Sequence, residues 1–439
     1  MAMDWAKLLS SKRFRGEPTA SENGRSEFQK DYDRIAFSRA FRRLQGKTQV
    51  HPLPDNDHVH TRLTHTIEVA SVGRSLGAQI GLDLERAGML PIGVFPQDVG
   101  SIVQAACLAH DIGNPPFGHG GEEAIRAWFK GNSEYMKGCS DIERLDLENY
   151  EGNAQGLRVI SQLEGHLLEG GLRPTFATLG AFIKYPWSSG YAISAGKRKF
   201  GYFQTEKENM EEIAAELGLL PHGMGGWVRH PLVYLVEAAD DICYEIMDIE
   251  DAVDVGILGF DEFEKIFIAG LSTAQQAEYG TIRAPDFPRQ LGFLRGKCVD
   301  YLVRQVIEAF KVNENRILAG EFNGKLLSEC EDKAKNIMAA ANQLARERVF
   351  SQSSKVQIEI GVYAIMDVLL SAFCDAYIEF KEKRCSFKSQ RVFDLLGVNK
   401  PDDGDTPYSA LIRIADFVSG STDKNAAQLS QRLNGTLFN

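Results

Sequence analysis

The chain has 439 residues, 44% of them hydrophobic and 25% charged, the balance of a folded globular protein with one large domain or two to three ordinary ones. Its formal net charge of −11 argues against nucleic-acid binding over the whole surface, so an anionic substrate would need cations gathered at its site. No apolar run approaches the roughly 18 residues of a membrane span, and the first residues lack the apolar core of a secretory leader. The seven cysteines are scattered with no CxxC pair, which predicts reduced thiols in a cytoplasmic protein.

Residues 1–26 are polar and rich in Ser, Arg and Gly, which predicts a mobile or surface-draped segment. From Ser26 to Lys47, Ile35, Phe37, Phe41 and Leu44 recur at helical spacing. Arg34, Arg39, Arg42 and Arg43 run along the same stretch, as a solvated face or as a phosphate or subunit contact. After a turn at 52–57, a helix beginning near Thr61 places His65 close to its start. An apolar helix over 98–112 delivers His110 and Asp111 at its end, where Gly113-Asn114-Pro115-Pro116 breaks it. Gly118-His119-Gly120-Gly121-Glu122 opens the next helix.

Residues 131–147 read as a loop, 149–168 and 177–185 as helices. The stretch 187–203, rich in Ser, Gly and Lys with interleaved aromatics, reads as a long loop or hairpin. Pro231 opens a strong helix from Leu232 to about Asp254. Past a weak break at 275–288, helices are predicted at 292–310, 325–350 and 356–384, the last two amphipathic like packing helices or an oligomer interface. Alternating strands, repeats and a Gly-rich phosphate loop are all missing from the pattern, so the class is all-α.

His65, His110, Asp111 and Asp240 offer two imidazoles and two carboxylates from three helices, a mixed N/O set suited to one divalent cation. Each alone has a plainer reading: a His–Asp pair is usually a surface or core pair, and an acidic stretch a solvated face. Asp240, Tyr244 and Asp248, at i, i+4 and i+8, share one helix face. His119 and Glu122, at i and i+3, can hydrogen-bond; a carboxylate that raises the imidazole pKa suits it to acid–base work, the plainer reading being a helix-capping histidine. His51, His58, His60, His166, His222 and His230 show no such spacing.

RLTH at 62–65, HDIGNPPFGHGGE at 110–122, YEGNAQGLR at 150–158 and EAADDICYEIMDIEDA at 237–252 resemble the motifs of the dGTPase-like dNTP triphosphohydrolases. The order His65, His110–Asp111, Asp240 is similar to the H…HD…D metal pattern of the wider HD superfamily. The resemblance implies an all-α HD-domain fold with its core at 27–260, after the mobile segment 1–26. Residues 261–439 would pack on that core or form an oligomer interface.

It further implies hydrolysis of a dNTP at the α-phosphate to a deoxynucleoside and tripolyphosphate. One divalent ion (Mn, Mg, Fe, Co or Ni) would sit on His65, His110, Asp111 and Asp240, with His119 and Glu122 as the catalytic pair. Two imidazoles, two carboxylates and a dication sum to about zero charge, so the triphosphate needs further cations. By resemblance these are Arg62, Lys184 and Lys199. Tyr185, Tyr244, Asp248, Gln49 and Val50 would face the sugar, and Asn153 would bind phosphate or base, or cap a helix. Relatives are often hexamers, which implies a homo-oligomer; a nucleotide or single-stranded DNA effector is a further implication. The competing readings are an HD-type phosphodiesterase or 5′-nucleotidase, and a nucleotide- or single-strand-sensing protein without turnover.

Overall fold

The computed structural model describes residues 2–16, 24–49, 60–165, 171–223, 225–282, 287–350 and 353–436. Val50, the turn at 52–57, and His51, His58 and His166 lie outside them. The described residues form twenty α-helices joined by short 3-10 and π turns, with isolated β-bridges but no strand, as the all-α reading expects.

The first twelve helices are α1 (Trp5–Leu8), α2 (Glu27–Ala36), α3 (Arg39–Arg43), α4 (Arg62–Arg86), α5 (Pro96–Ala109), α6 (Gly118–Gly131), α7 (Asp141–Glu148), α8 (Gly152–Arg158), α9 (Phe176–Phe182), α10 (Ser189–Ser194), α11 (Lys207–Leu217) and α12 (Val233–Asp254). The remaining eight are α13 (Phe260–Phe267), α14 (Thr273–Tyr279), α15 (Phe287–Leu318), α16 (Asp332–Leu344), α17 (Ser353–Lys381), α18 (Phe387–Asp394), α19 (Pro407–Ser419) and α20 (Asp423–Leu433).

The central pair is α4 and α5, and a stripe of glycines brings their backbones together. A Cβ on Gly73 would meet Cys107 Sγ at 2.4 Å, one on Gly77 the Val99 carbonyl oxygen at 2.7 Å, and one on Gly81 the Pro96 carbonyl oxygen at 2.4 Å. The partners descend along α5 as the glycines ascend α4, so the helices are antiparallel. That polarity sets the start of α4, with His65, beside the end of α5, with His110. Helix α12 packs across both through buried Ala238, Ala239 and Ile242 and brings Asp240 to the same end.

Two apolar clusters hold the chain. The first joins α1, α2, α4, α5, α9 and α11–α16; the second joins α6, α7, Tyr150, Trp187 and α17–α20. The helices beyond residue 260 are therefore divided between two cores, each shared with earlier parts of the chain.

Several local expectations need correction. Residues 2–16 are not draped loosely: Met3, Trp5, Leu8, Leu9 and Phe14 are buried, and Nε2 of buried His230 lies 3.0 Å from the Leu8 carbonyl oxygen. Ser38 caps α3 by accepting from Phe41 N–H, which splits the expected 26–47 helix and leaves Phe37 83% exposed. Helix α7 occupies the expected 131–147 loop, started by Ser140, whose N–H and hydroxyl both donate to Glu143. The 187–203 stretch contains α10, with Lys197 Nζ 3.7 Å from the centre of the Trp187 ring. One helix, Val356–Lys381, is long and apolar enough to cross a membrane by composition, contrary to the expectation that no run comes close. Its Val362, Met366, Leu369, Leu370, Phe373 and Cys374 are buried in the second core.

Candidate active site

Local capping places the first histidine. The Thr61 hydroxyl accepts from Thr64 N–H while the Thr64 hydroxyl accepts from Thr61 N–H, so α4 begins at Arg62 and His65 falls in its first turn. At the end of α5, His110 Nδ1–H donates to the Cys107 carbonyl at 2.7 Å, which turns Nε2 toward the carboxylates. Nε2 of His65 and Nε2 of His110 lie 3.1 and 3.4 Å from the same oxygen of Asp240. Ligand atoms of His65, His110 and Asp111 all fall within 4.8 Å of one another. His65, His110 and Asp111, with Asp240 set against both imidazoles, could hold a divalent ion once their ligand atoms draw in to the roughly 3–4 Å separations that bonds of about 2.1 Å impose.

The charges agree. Burial opposes ionisation of Asp240, yet His110 and His65 hold its carboxyl well below the usual carboxylate range. Asp111 is buried too, and Arg62, His110 and His65 lower its pKa. Burial opposes the His110 imidazolium, but Asp111 and Asp240 outweigh it and push its pKa up to about 9. A field that draws a proton onto a buried imidazole draws a dication in the same way.

His119 lies in the first turn of α6. Its pKa was expected to rise beside Glu122; it falls, because burial outweighs Glu122 while Lys199 and Arg62 also disfavour a second positive charge. Glu122 acts on the imidazole by charge. Its carboxylate accepts from Gly152 N–H at 2.7 Å and from Lys199 Nζ at 3.0 Å. Burial would raise the Glu122 pKa, but Lys199 and Arg126 bring it down. The neighbouring carboxyl of Glu151 is pushed up to about 7 by burial and by Glu122, although Lys199 and Arg126 also touch it.

One cavity is lined by His110, Asp111, His119, Asn153, Lys184, Tyr185, Lys199 and Asp240, eight of the predicted residues. Gln49, Arg62, His65, Glu122, Tyr244 and Asp248 are not among its lining. Arg62 Nη1 instead donates to Asp111 at 2.9 Å, and the Tyr244 ring lies 6.1 Å from that of Phe350. The predicted phosphate cations all hold carboxylates: Arg62 has Asp111, Lys199 has Glu122 and Glu151, and Lys184 has Glu237 at 3.5 Å. A buried cation without a counter-charge is costly, which is why each has found one. Asn153 lines the cavity but is not the cap: Glu151 caps α8, accepting from Asn153 N–H, and the Asn153 side-chain amide also donates to Glu151 at 2.6 Å.

Sequence reasoning missed Asn114 and Glu237, although both lie inside the quoted motifs. The Asn114 side-chain amide donates to Asp111, and Glu237 accepts from Arg229 at 2.9 Å while lining the cavity. It also missed His60, whose imidazole bridges Asp251 at 2.5 Å and Glu68 at 3.2 Å, away from that lining.

Comparison with known proteins agrees with this geometry. A family model described as HD domain matches residues 62–180. A deoxyguanosinetriphosphate triphosphohydrolase-like protein of Pseudomonas aeruginosa is 45% identical over 441 residues, 99% of each chain. A protein of the same description from Synechocystis is 38% identical over 454 residues, again 99% of each. A deoxyguanosinetriphosphate triphosphohydrolase of Enterobacter is 32% identical over 399 residues, covering 79% of this chain and 76% of its own. With its helical HD domain and a likeness that runs from end to end, this chain belongs to the deoxyguanosinetriphosphate triphosphohydrolase-like family.

Proposed function

We propose that the protein is a divalent-metal-dependent dNTP triphosphohydrolase that releases a deoxynucleoside and tripolyphosphate. The observation that carries the reading is the shared cavity: His110, Asp111 and Asp240 line it together with His119, Lys184 and Lys199. His65, His110, Asp111 and Asp240 would hold the ion, which supplies Lewis-acid polarisation of the α-phosphoryl group and a water acidified toward neutral pH. His119 would take up a proton from the attacking water and deliver one to the departing 5′ oxygen, ending as it began. Glu122, fixed by Gly152 and Lys199, keeps a negative charge beside it. Lys184, Lys199 and Arg62 balance the triphosphate by sharing themselves between phosphate and the carboxylates they already touch. Tyr185, which lines the cavity, would favour deoxyribose by packing where a 2′-hydroxyl would stand.

The test is product analysis with each of the four dNTPs and one rNTP, in the presence of Mn, Mg, Fe, Co or Ni. Nucleoside plus intact tripolyphosphate is expected. Inorganic phosphate from a monophosphate would favour the nucleotidase reading, and tight binding with no product the sensor reading. Asp111→Ala should lose both metal and activity, whereas His119→Ala should keep metal and lose turnover; full activity in either variant removes that assignment.

The reading extends to a cytoplasmic homo-oligomer. Val356, Ile360 and Tyr363 of α17 are exposed, as an interface between copies requires. Sedimentation showing only monomer would overturn that part.

A further inference from the structure

The loop between the metal ligands and His119 is held from outside the HD motifs. Phe117 adopts φ +62° and ψ +17°, a left-handed conformation that costs a non-glycine residue roughly 1–2 kcal/mol, and Gly118 follows at φ +56°. Two left-handed residues in succession turn the chain sharply, and His119 enters α6 directly after them. No side chain within this loop caps α6. The restraint comes instead from the other end of the protein. Asp423, 1% exposed and the first residue of α20, accepts from Phe117 N–H at 2.8 Å. Its second oxygen accepts from Thr48 N–H at 2.9 Å and from the Thr48 hydroxyl at 2.7 Å.

The opposite flank of Pro115–Pro116 is held in the same manner. Lys47, 2% exposed, donates to the Asn114 carbonyl at 2.6 Å and to the Ser419 carbonyl, at the end of α19, at 2.7 Å. The Asn114 side chain in turn donates to Asp111. Gly46, beside Lys47, lies so close to Thr422 that a Cβ there would fall 2.7 Å from its methyl group. Two buried side chains thus pin both ends of the loop to the Gly46–Gln49 turn and to the α19–α20 corner. The ends that meet are 306 residues apart in sequence.

We propose that Asp423 and Lys47 are positioning residues for His119. They form a clamp by which the α19–α20 corner sets the imidazole against the metal ligands, so the C-terminal helices belong to the catalytic unit. The catalytic consequence rests on the triphosphohydrolase reading above; the clamp itself does not. A displacement of about 1 Å in a group that acts only in the transition state lowers turnover up to ~100-fold and leaves ground-state binding nearly unchanged.

The experiment uses the full chain carrying Asp423→Ala. Hydrogen exchange of the peptide spanning 113–121 should accelerate about tenfold or more, since two buried hydrogen-bond sets are lost, while exchange in α5 stays as it was. With Mn²⁺ and the preferred dNTP, kcat should fall about 10- to 100-fold, with KM and Mn²⁺ affinity changed less than about threefold. Asp423→Asn keeps the shape and one acceptor oxygen, so it should fall between; it also decides the matter if the alanine variant does not fold. Adding Phe117→Gly to Asp423→Ala should restore part of kcat, because glycine takes the left-handed turn without strain. A purely structural role would lower the melting temperature and leave kcat per folded molecule unchanged, without rescue by glycine. Unchanged exchange overturns the clamp, and faster exchange with unchanged kcat overturns the positioning role. A wild-type protein that hydrolyses no dNTP sinks the functional reading instead, and exchange alone then decides the clamp.

Discussion

A single methyl group at Gly113 gives a sharp test of how the candidate site is assembled. A Cβ at this position would lie 2.1 Å from the Gly152 carbonyl oxygen, 2.1 Å from Gly156 N and 2.6 Å from Gly156 Cα. These are backbone atoms of α8, with no flexible side-chain end to swing aside. Ordinary contact begins near 3.4 Å, so the shortfall is 1.3 Å, and either α8 or the turn after Asp111 must give way. Overpacking of this kind costs about 1–3 kcal/mol. Displacing Asp111 and Asn114 by about 1 Å would weaken Mn²⁺ binding about 10- to 100-fold and turnover by about 100-fold. Gly131→Ala is the control: the same chemical change at the end of α6, where a Cβ meets nothing within 4 Å. Titration calorimetry with Mn²⁺, thermal unfolding and dNTP turnover would be measured on both variants. If Gly113→Ala matches Gly131→Ala in all three, the close approach of the Asp111 turn to α8 does not control the site.

Two further outcomes follow from buried charge. Arg158 joins α8 to α19 through Asp416 at 2.9 Å and to Glu206 at 2.7 Å, both carboxylates being essentially inaccessible. Arg158→Met should cost about 3–5 kcal/mol in urea unfolding at pH 7.5. The cost should shrink by pH 5, because burial already pushes the Glu206 carboxyl up to about 7 and a protonated acid needs no cation; an equal cost at both pH values would refute the argument. At His60, burial disfavours the charged ring, but Asp251 and Glu68 outweigh it and raise its pKa from 6.5 to about 10. A base whose folded pKa is raised contributes stability in full below pH 6.5 and loses it as pH rises through 10. The stability gap between wild type and His60→Gln, about 1–3 kcal/mol near pH 6, should therefore close above pH 10, and a gap independent of pH would contradict the assignment.

The helical class, the course of α4, α5 and α12 and the side chains that meet at the candidate metal centre were legible in the sequence. Each rests on short-range signals: apolar periodicity, a proline pair after Asp111, and imidazoles and carboxylates at the ends of those helices. The capping of α3 by Ser38 and of α7 by Ser140 was written in local sequence as well, but polar composition masked it. Trp5, Leu8 and Phe14 were likewise taken for a surface segment because their core partners lie far along the chain.

What the sequence alone determined is which groups could do chemistry here, because ligand and acid–base character belong to residue types and to spacings within one helix. Only the tertiary structure decided how those groups stand to one another. It set Arg62 on Asp111 and Lys199 between Glu122 and Glu151, lowered the His119 pKa where a rise was expected, and brought Asp423 to the loop before His119. Charge pairing and desolvation act through space and fall off over a few ångströms. Neighbours hundreds of positions away along the chain therefore fix them, and no local pattern carries that information.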